Sequence, residues 1–228
     1  TEQRKGAIFA CLAFLMWGLA PIYFKLIQHV SAFEILMHRV IWSVVFLVLV
    51  VSVLRYWGKI KRIIVQPKLL LMLVITSALL GFNWGLFIWA INNNHMLDAS
   101  LGYYINPLLN VLLGMLFLGE RLRKFQGVAV ALAFSGVVLQ LISFGSFPVV
   151  AFSLAISFAL YGLLRKKLPV EALPGILLEA LILLPVALIY WWLMVPTATS
   201  SLPANDWHTN VLLISAGIVT TLPLLCFT

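Results

Sequence analysis

Apolar residues fill eight long stretches of this chain, and short polar gaps separate them. A helix needs about 20 apolar residues to cross a bilayer, whereas a membrane-spanning strand needs about half as many and alternates apolar with polar positions. The pattern therefore predicts eight transmembrane helices and an all-α polytopic membrane protein. The predicted spans are 6–27, 34–54, 69–91, 99–118, 125–143, 146–164, 173–195 and 210–227.

Basic residues lie in alternate gaps between these spans. Thirteen of the 15 Lys and Arg residues precede the first span or fall within 55–68, 119–124 and 165–172, and the other gaps contain none. Short cytoplasmic loops of membrane proteins are enriched in Lys and Arg. We therefore expect the N-terminus and these three gaps on the cytoplasmic side.

Composition agrees with a chain made mostly of spans, because 63% of its residues are hydrophobic and 10% are charged. The net charge of +8 does not indicate nucleic-acid binding, since the bases are spread over membrane loops instead of one folded face. The first span follows basic residues as a signal peptide would. Its apolar run is too long for that role, however, and no small-residue cleavage site follows it.

Signatures of catalysis and cofactor binding are absent from the sequence. There is no His-Glu-x-x-His zinc helix, no Gly-x-Ser-x-Gly elbow and no Walker loop. The run 92–98 (NNNHMLD) contains too few ligands for a metal site, and Asp98 is expected to cap the helix that follows. We therefore predict no enzyme activity, no cofactor and no metal.

Aromatic and acidic positions suggest an internal duplication. Trp17-Gly18 in the first span matches Tyr161-Gly162 in the sixth, and Glu34 and Glu179 follow the aromatic residues after 17 and 18 positions. These two spans cross the membrane in opposite directions, so repeats of five helices would be inverted, as in many secondary transporters. Residues 1–145 would form the first repeat and 146–228 the first three helices of the second. Ten helices are expected in all, so the second repeat is incomplete in this sequence.

Few ionisable residues fall inside the predicted spans. A charge at the centre of a lipid-facing helix costs about 2.5 to 3.5 kcal/mol, so such residues are expected to face the protein interior. Lys25, Glu34, His38 and Arg39 are interpreted as a buried cluster that binds an anionic group or relays protons. Alternatively, Lys25 extends to the interface and Glu34 caps the second helix. Glu179 either carries a coupled proton or makes a structural hydrogen bond.

The fourth span carries a polar stripe. Tyr103, Asn106, Asn110 and Gly114 recur at spacings of three, four and four residues and therefore share one helix face. Pro107 removes a backbone hydrogen bond that Asn106 is placed to replace. The stripe would either line a substrate cavity or hydrogen-bond a neighbouring helix. Near a predicted outer boundary, tryptophans at 191, 192 and 207 indicate an interfacial belt.

Together these positions define the candidate site. The candidate cavity residues are Trp17, Arg39, Asn83, Tyr103, Asn106, Asn110, Glu179 and Thr221. The candidates for ion or proton coupling are Glu34, His38 and Glu179. The expected partners are the lipid bilayer, a small-molecule substrate and protons, and the sequence defines no oligomeric state.

Several long motifs resemble one known family. They are EILMHRVIWS (34–43), NWGLFIWAIN (83–92), LGYYINPLLN (101–110), LGER (118–121) and GIVTTLPLLC (217–226). In these motifs the chain resembles the RarD family, in the EamA branch of the drug/metabolite transporter superfamily. The resemblance implies ten helices in two inverted repeats around a central cavity, and an exporter-like role in a bacterial inner membrane. It also implies an association with chloramphenicol sensitivity.

The leading hypothesis is a secondary transporter that moves a small polar or amphipathic metabolite or drug outward by alternating access. The alternatives are a passive channel or facilitator, which needs a continuous polar lining, and a membrane enzyme, which needs paired catalytic groups.

Overall fold

The computed structural model describes residues 2–145, 147–194 and 207–227. Within these ranges the chain forms nine helices and no strand. The helices are α1 (Glu2–Leu26), α2 (Ala32–Val53), α3 (Trp57–Ile64), α4 (Pro67–Asn92), α5 (Met96–Leu118), α6 (Lys124–Phe144), α7 (Val149–Lys167), α8 (Ala172–Met194) and α9 (Trp207–Phe227).

Eight of these described helices are long and apolar enough to cross a membrane, which confirms the predicted spans. Their ends lie within about four residues of the predicted ones, as expected from apolar length alone. Ser146, which begins one predicted span, and Val195, which ends another, lie outside the described residues, as does most of the gap 196–209. The ninth helix, α3, was not predicted. It occupies eight residues of the basic gap 55–68 and buries Ile60 and Ile63.

The start of α5 differs from the expectation for Asp98. His95 occupies the N-cap position, and Asp98 lies inside the first helical turn. The Asp98 carboxylate is buried and lies 3.1 Å from Nδ1 of His95. The prediction that Asp98 caps this helix was therefore wrong, because the aspartate pairs with the residue at the cap position.

The helices form two compact units. The first, unit 1, contains α1, α2, α3, α8 and α9, together with the N-terminal part of α4. Within unit 1, α2 packs against α8 and α9, α1 packs against α9, and α3 packs against α8. The second, unit 2, contains the rest of α4 with α5, α6 and α7, and α5 packs against α6 and α7. Each unit includes helices from both predicted sequence repeats.

Candidate functional site

Two asparagines of unit 2 bind successive carbonyl groups of α7. Asn83 on α4 donates to the carbonyl oxygen of Leu154 at 2.9 Å and to Oγ of Ser157 at 3.0 Å. Asn106 on α5 donates to the carbonyl oxygen of Ala155 at 3.2 Å. A helix carbonyl has a second lone pair that accepts such a bond without losing the helical one. These amides therefore link α4 and α5 to one turn of α7.

The predicted role of Asn106 beside Pro107 was wrong. Its amide nitrogen donates to α7, and its Oδ1 accepts a hydrogen bond of 2.8 Å from Nδ2 of Asn110. The Asn106 side chain thus bonds to α7 and to Asn110 instead of the backbone beside Pro107. Interhelical bonds of this kind contribute about 0.6 to 2 kcal/mol each in membranes.

Asn110 and Tyr103 are the exposed members of the polar stripe. Asn110 is exposed along its helix, and a β-carbon added at Gly162 of α7 would lie 3.7 Å from its Oδ1. Tyr103 is 43% exposed and packs edge-on against Phe87, with ring centroids 5.7 Å apart. Unit 2 therefore brings Asn83, Tyr103, Asn106 and Asn110 onto elements that pack around α7.

The stripe ends at an ion pair. Gly119 adopts a left-handed conformation with φ of 68°, which ends α5 and turns the chain back. The Glu120 carboxylate then folds over Gly114, where an added β-carbon would lie 2.6 Å from Oε2. Its other oxygen accepts a hydrogen bond from Lys166 at the end of α7. An alanine at 114 would therefore require the flexible Glu120 side chain to shift.

The cluster predicted in unit 1 is only partly buried. His38 and Arg39 are buried, and the His38 ring packs against Trp191 with centroids 4.9 Å apart. Glu34 is half-buried, and its backbone N–H donates to the N-cap hydroxyl of Ser31 at 3.2 Å.

One sequence-based assignment needs correction here. Lys25 lies exposed in the last turn of α1, so it is not part of a buried cluster, and its exposure agrees with the alternative that its long side chain extends to the interface. Trp191 is half-buried beside His38. Trp192 and Trp207, which are 84% and 80% exposed, have the exposure that an interfacial belt requires.

Glu179 is fully buried on α8 and contacts a hydroxyl group of α4. Oγ1 of Thr76 lies 2.6 Å from Oε1 of Glu179 and 3.1 Å from the carbonyl oxygen of Leu73. The threonine hydroxyl has one proton to donate and two lone pairs that accept. When Glu179 is ionised, the Thr76 hydroxyl can donate a hydrogen bond to its carboxylate. When Glu179 is protonated, the hydroxyl can accept a hydrogen bond from the carboxyl group and donate its own proton to the carbonyl oxygen of Leu73.

Thr221 lies in the contact between α2 and α9. Its hydroxyl donates to Oγ of Ser43 at 2.8 Å, and Ser43 donates to the carbonyl oxygen of Gly217 at 3.2 Å. Thr221 is completely buried. The last candidate, Trp17 on α1, is half-buried and packs edge-on against Phe14 at 5.7 Å.

Sequence reasoning missed the hydroxyl partners of the site. Ser43, Thr76 and Ser157 are buried and bind Thr221, Glu179 and Asn83 respectively. Small hydroxyl residues inside apolar spans are common at helix contacts, so their type alone did not single them out. A separate groove of about 430 Å³ lies at the α6–α7 turn, and its lining includes none of the candidate residues.

Comparison with known proteins identifies the family of the chain. Residues 4–142 match the EamA-like transporter family. The chain is 57% identical over its full length to an uncharacterized transporter of Vibrio cholerae, of which it covers 75%. It is 56% and 55% identical, again over its full length, to the RarD proteins of Salmonella typhi and Escherichia coli, covering 77% of each. No solved structure matches the chain. The chain therefore belongs to the RarD family of EamA-like transporters.

Proposed function

We propose that this protein is a secondary transporter of a bacterial inner membrane, which exports a small polar or amphipathic metabolite or drug by alternating access. α1, α2 and α4 to α6 would form the first of two inverted five-helix repeats, and α7 to α9 the first three helices of the second. The match to the EamA-like transporter family, and a relative named as an uncharacterized transporter that matches along the whole chain, support this class of function. They also favour a transporter over a membrane enzyme.

The observation that carries the proposal is the exposed amide of Asn110 on a membrane-spanning helix. The Asn110 amide nitrogen donates one hydrogen bond to Oδ1 of Asn106, and no described side chain donates a hydrogen bond to Oδ1 of Asn110. An amide that faced hydrocarbon would leave polar groups unsatisfied at a cost of several kcal/mol. The space beside Asn110 and Gly162 is therefore best explained as a cavity that holds water or substrate.

A transported molecule would meet three kinds of group at this face of unit 2. Asn110 offers both a donor and an acceptor, Tyr103 offers an aromatic surface with a hydroxyl group, and the ion pair of Glu120 and Lys166 offers charge of both signs. This combination suits a small molecule with hydrogen-bonding groups and an apolar portion. Arg39 in unit 1 is a further candidate for an anionic group on the substrate, because it is buried on a spanning helix.

Transport coupled to protons is the mode we propose, with Glu179 as the carrier. The Thr76 hydroxyl is able to satisfy both the ionised and the protonated carboxyl, so Glu179 can exchange a proton without losing its hydrogen bond. Glu34 and His38 remain secondary candidates, since Glu34 is only half-buried.

The full-length protein in proteoliposomes tests this function. A thermal-shift screen with amino acids, nucleosides and antibiotics, chloramphenicol included, would first select a probe compound. A transporter shows saturable uptake of the probe and faster uptake when unlabelled probe is present on the opposite side. A passive channel shows neither property, and that result would replace the proposal.

Asn110→Ala is the informative variant, and Asn93→Ala is its control. Asn93 is also an exposed asparagine, but it lies in the turn after α4 and binds the carbonyl oxygen of Trp89. We expect the Asn110 variant to bind the probe about tenfold more weakly, as the loss of one or two hydrogen bonds predicts. Equal probe binding by wild type and both variants would remove Asn110 from the cavity.

A further inference from the structure

Helix α3 connects two helices that are long and apolar enough to span a membrane. α2 ends at Val53 and α4 begins at Pro67, and both have the length and composition of membrane spans. Three residues separate Val53 from α3, and two separate α3 from Pro67. Since each residue extends the chain by at most about 3.6 Å, the ends of α3 lie within roughly 14 Å of α2 and roughly 11 Å of α4.

The apolar residues of α3 fall on two different faces. Ile60 and Ile63 are buried, and the helix packs there against α8. Trp57 and Ile64 lie roughly 80° farther round the helix, where they are 41% and 48% exposed. The Trp57 ring is oriented by a hydrogen bond of 3.2 Å from its indole N–H to Ser52. A second apolar face of α3 is therefore left uncovered.

One base of α3 is already neutralised. Lys59 donates to both carboxylate oxygens of Glu171 at 2.7 Å, and these hydrogen bonds raise the pKa of Lys59. Its ammonium group also lies 4.1 Å from the centroid of the Tyr56 ring. The ion pair between Lys59 and Glu171 links α3 to the residue before α8. Lys59 is therefore less able to bind another anion.

Lys61 and Arg62 occupy the remaining face of α3. Both are exposed, and no acidic side chain of the described residues pairs with them. Lys61 lies next to the uncovered apolar face, and Arg62 is about 100° farther round. Arg55 and Lys68, one on each side of the helix, are also exposed and add to the positive charge.

We propose that α3 lies in the membrane interface and that Lys61 and Arg62 bind the phosphate group of an anionic phospholipid. Trp57 and Ile64 enter the boundary of the acyl chains, which is where amphipathic interfacial helices place their apolar side chains. The bases then stand at the level of the headgroups, where anionic lipid attracts them. This interaction needs no transported substrate and stands apart from the proposed function.

Native mass spectrometry of the full-length protein in detergent tests the proposal. Phosphatidylglycerol and phosphatidylcholine of the same chain length are added in turn, and the bound fraction of each is measured. Wild type is expected to retain phosphatidylglycerol selectively. Lys61→Gln with Arg62→Gln should weaken that binding about 30-fold, which corresponds to about 1 kcal/mol for each base. Soluble glycerol phosphate at the same concentration should not displace the lipid.

Two further variants sharpen the test. Arg121→Gln with Lys124→Gln also removes two exposed bases, one in the loop after α5 and one at the first residue of α6, and should leave lipid binding unchanged. Glu171→Gln releases Lys59 from its ion pair and should leave binding equal or make it tighter. Equal retention of the two lipids by wild type, or unchanged binding by the Lys61 and Arg62 variant, would overturn the proposal. Displacement by glycerol phosphate would overturn it as well, because a free phosphate site would then explain the binding.

Discussion

The backbone of Trp42 lies so close to Gly217 that a β-carbon added at position 217 would overlap the Trp42 carbonyl carbon and lie 2.8 Å from the Trp42 β-carbon. It would also overlap the backbone nitrogen of Ser43. The hydroxyl groups of Ser43 and Thr221 form their hydrogen bonds at this same contact. α2 and α9 therefore meet at a small-residue contact of the kind that lets membrane helices approach closely.

Gly217→Ala is expected to destabilise the protein, because the new methyl group must push the α2 backbone away. Overpacking of this kind costs about 1 to 3 kcal/mol. Each kcal/mol lowers the Tm of a chain of this size by about 2 to 4 °C. Thermal denaturation in detergent would measure the change. Gly18→Ala in α1 is the control, since nothing lies within 4 Å of its added β-carbon and its Tm should not fall. Equal Tm values for both variants would contradict the close contact.

The fold was largely predictable from the sequence, and particular residues show where prediction stopped. Apolar length alone determines a membrane span, so the eight spans and their ends were found. α3 was missed because eight residues are too few to distinguish a helix from a loop by pattern, although its apolar residues do recur at helical spacing.

The candidate site was only partly predictable. Spacing correctly placed Asn106 and Asn110 on one face of α5, because both residues lie on this one helix, four positions apart. Spacing did not reveal that Asn106 binds Ala155 or that Glu179 binds Thr76, because those partners come from other helices. The exposure of Lys25, one residue before the end of α1, agrees with the alternative interpretation of this residue, because a base at a helix end can extend to the interface.

The orientation predicted from loop charges is tested by cysteine labelling in intact cells. Cys11 and Cys226 are first replaced by serine, and one cysteine is then introduced at Lys61 or at Asn93, both of which are exposed. Asp98 is unsuitable because it is buried. A membrane-impermeant thiol reagent added outside should label the Asn93→Cys protein, and should label Lys61→Cys only after the cells are opened. Labelling of both positions from outside would refute the orientation.

Arg39→Lys and Arg39→Ala are both expected to lower probe transport at least tenfold at equal protein level. The planar guanidinium group binds a carboxylate through two parallel hydrogen bonds, and an ammonium group does not reproduce that geometry. Losing a hydrogen bond to a charged group costs about 1.5 to 3 kcal/mol, which is roughly tenfold or more. Lys25→Ala is the control, because this base is exposed at the end of α1. Wild-type rates in Arg39→Lys would show that any positive charge suffices at this position.

Glu179→Gln is expected to abolish the accumulation of probe against a gradient while leaving exchange of probe across the membrane. Glutamine keeps the shape of the side chain, and its amide N–H or carbonyl oxygen still bonds to Thr76, but it neither gains nor loses a proton. Uptake into proteoliposomes with and without a pH gradient separates the two activities. Glu171→Gln removes an exposed carboxylate outside the proposed cavity and should keep the dependence on the gradient. Thr76→Val leaves Glu179 without its described hydroxyl partner, and we expect it to shift the pH profile of uptake without abolishing coupling. If Glu179→Gln still accumulates probe with the wild-type pH profile, Glu179 is structural, and the coupled proton must travel through Glu34, His38 or another group.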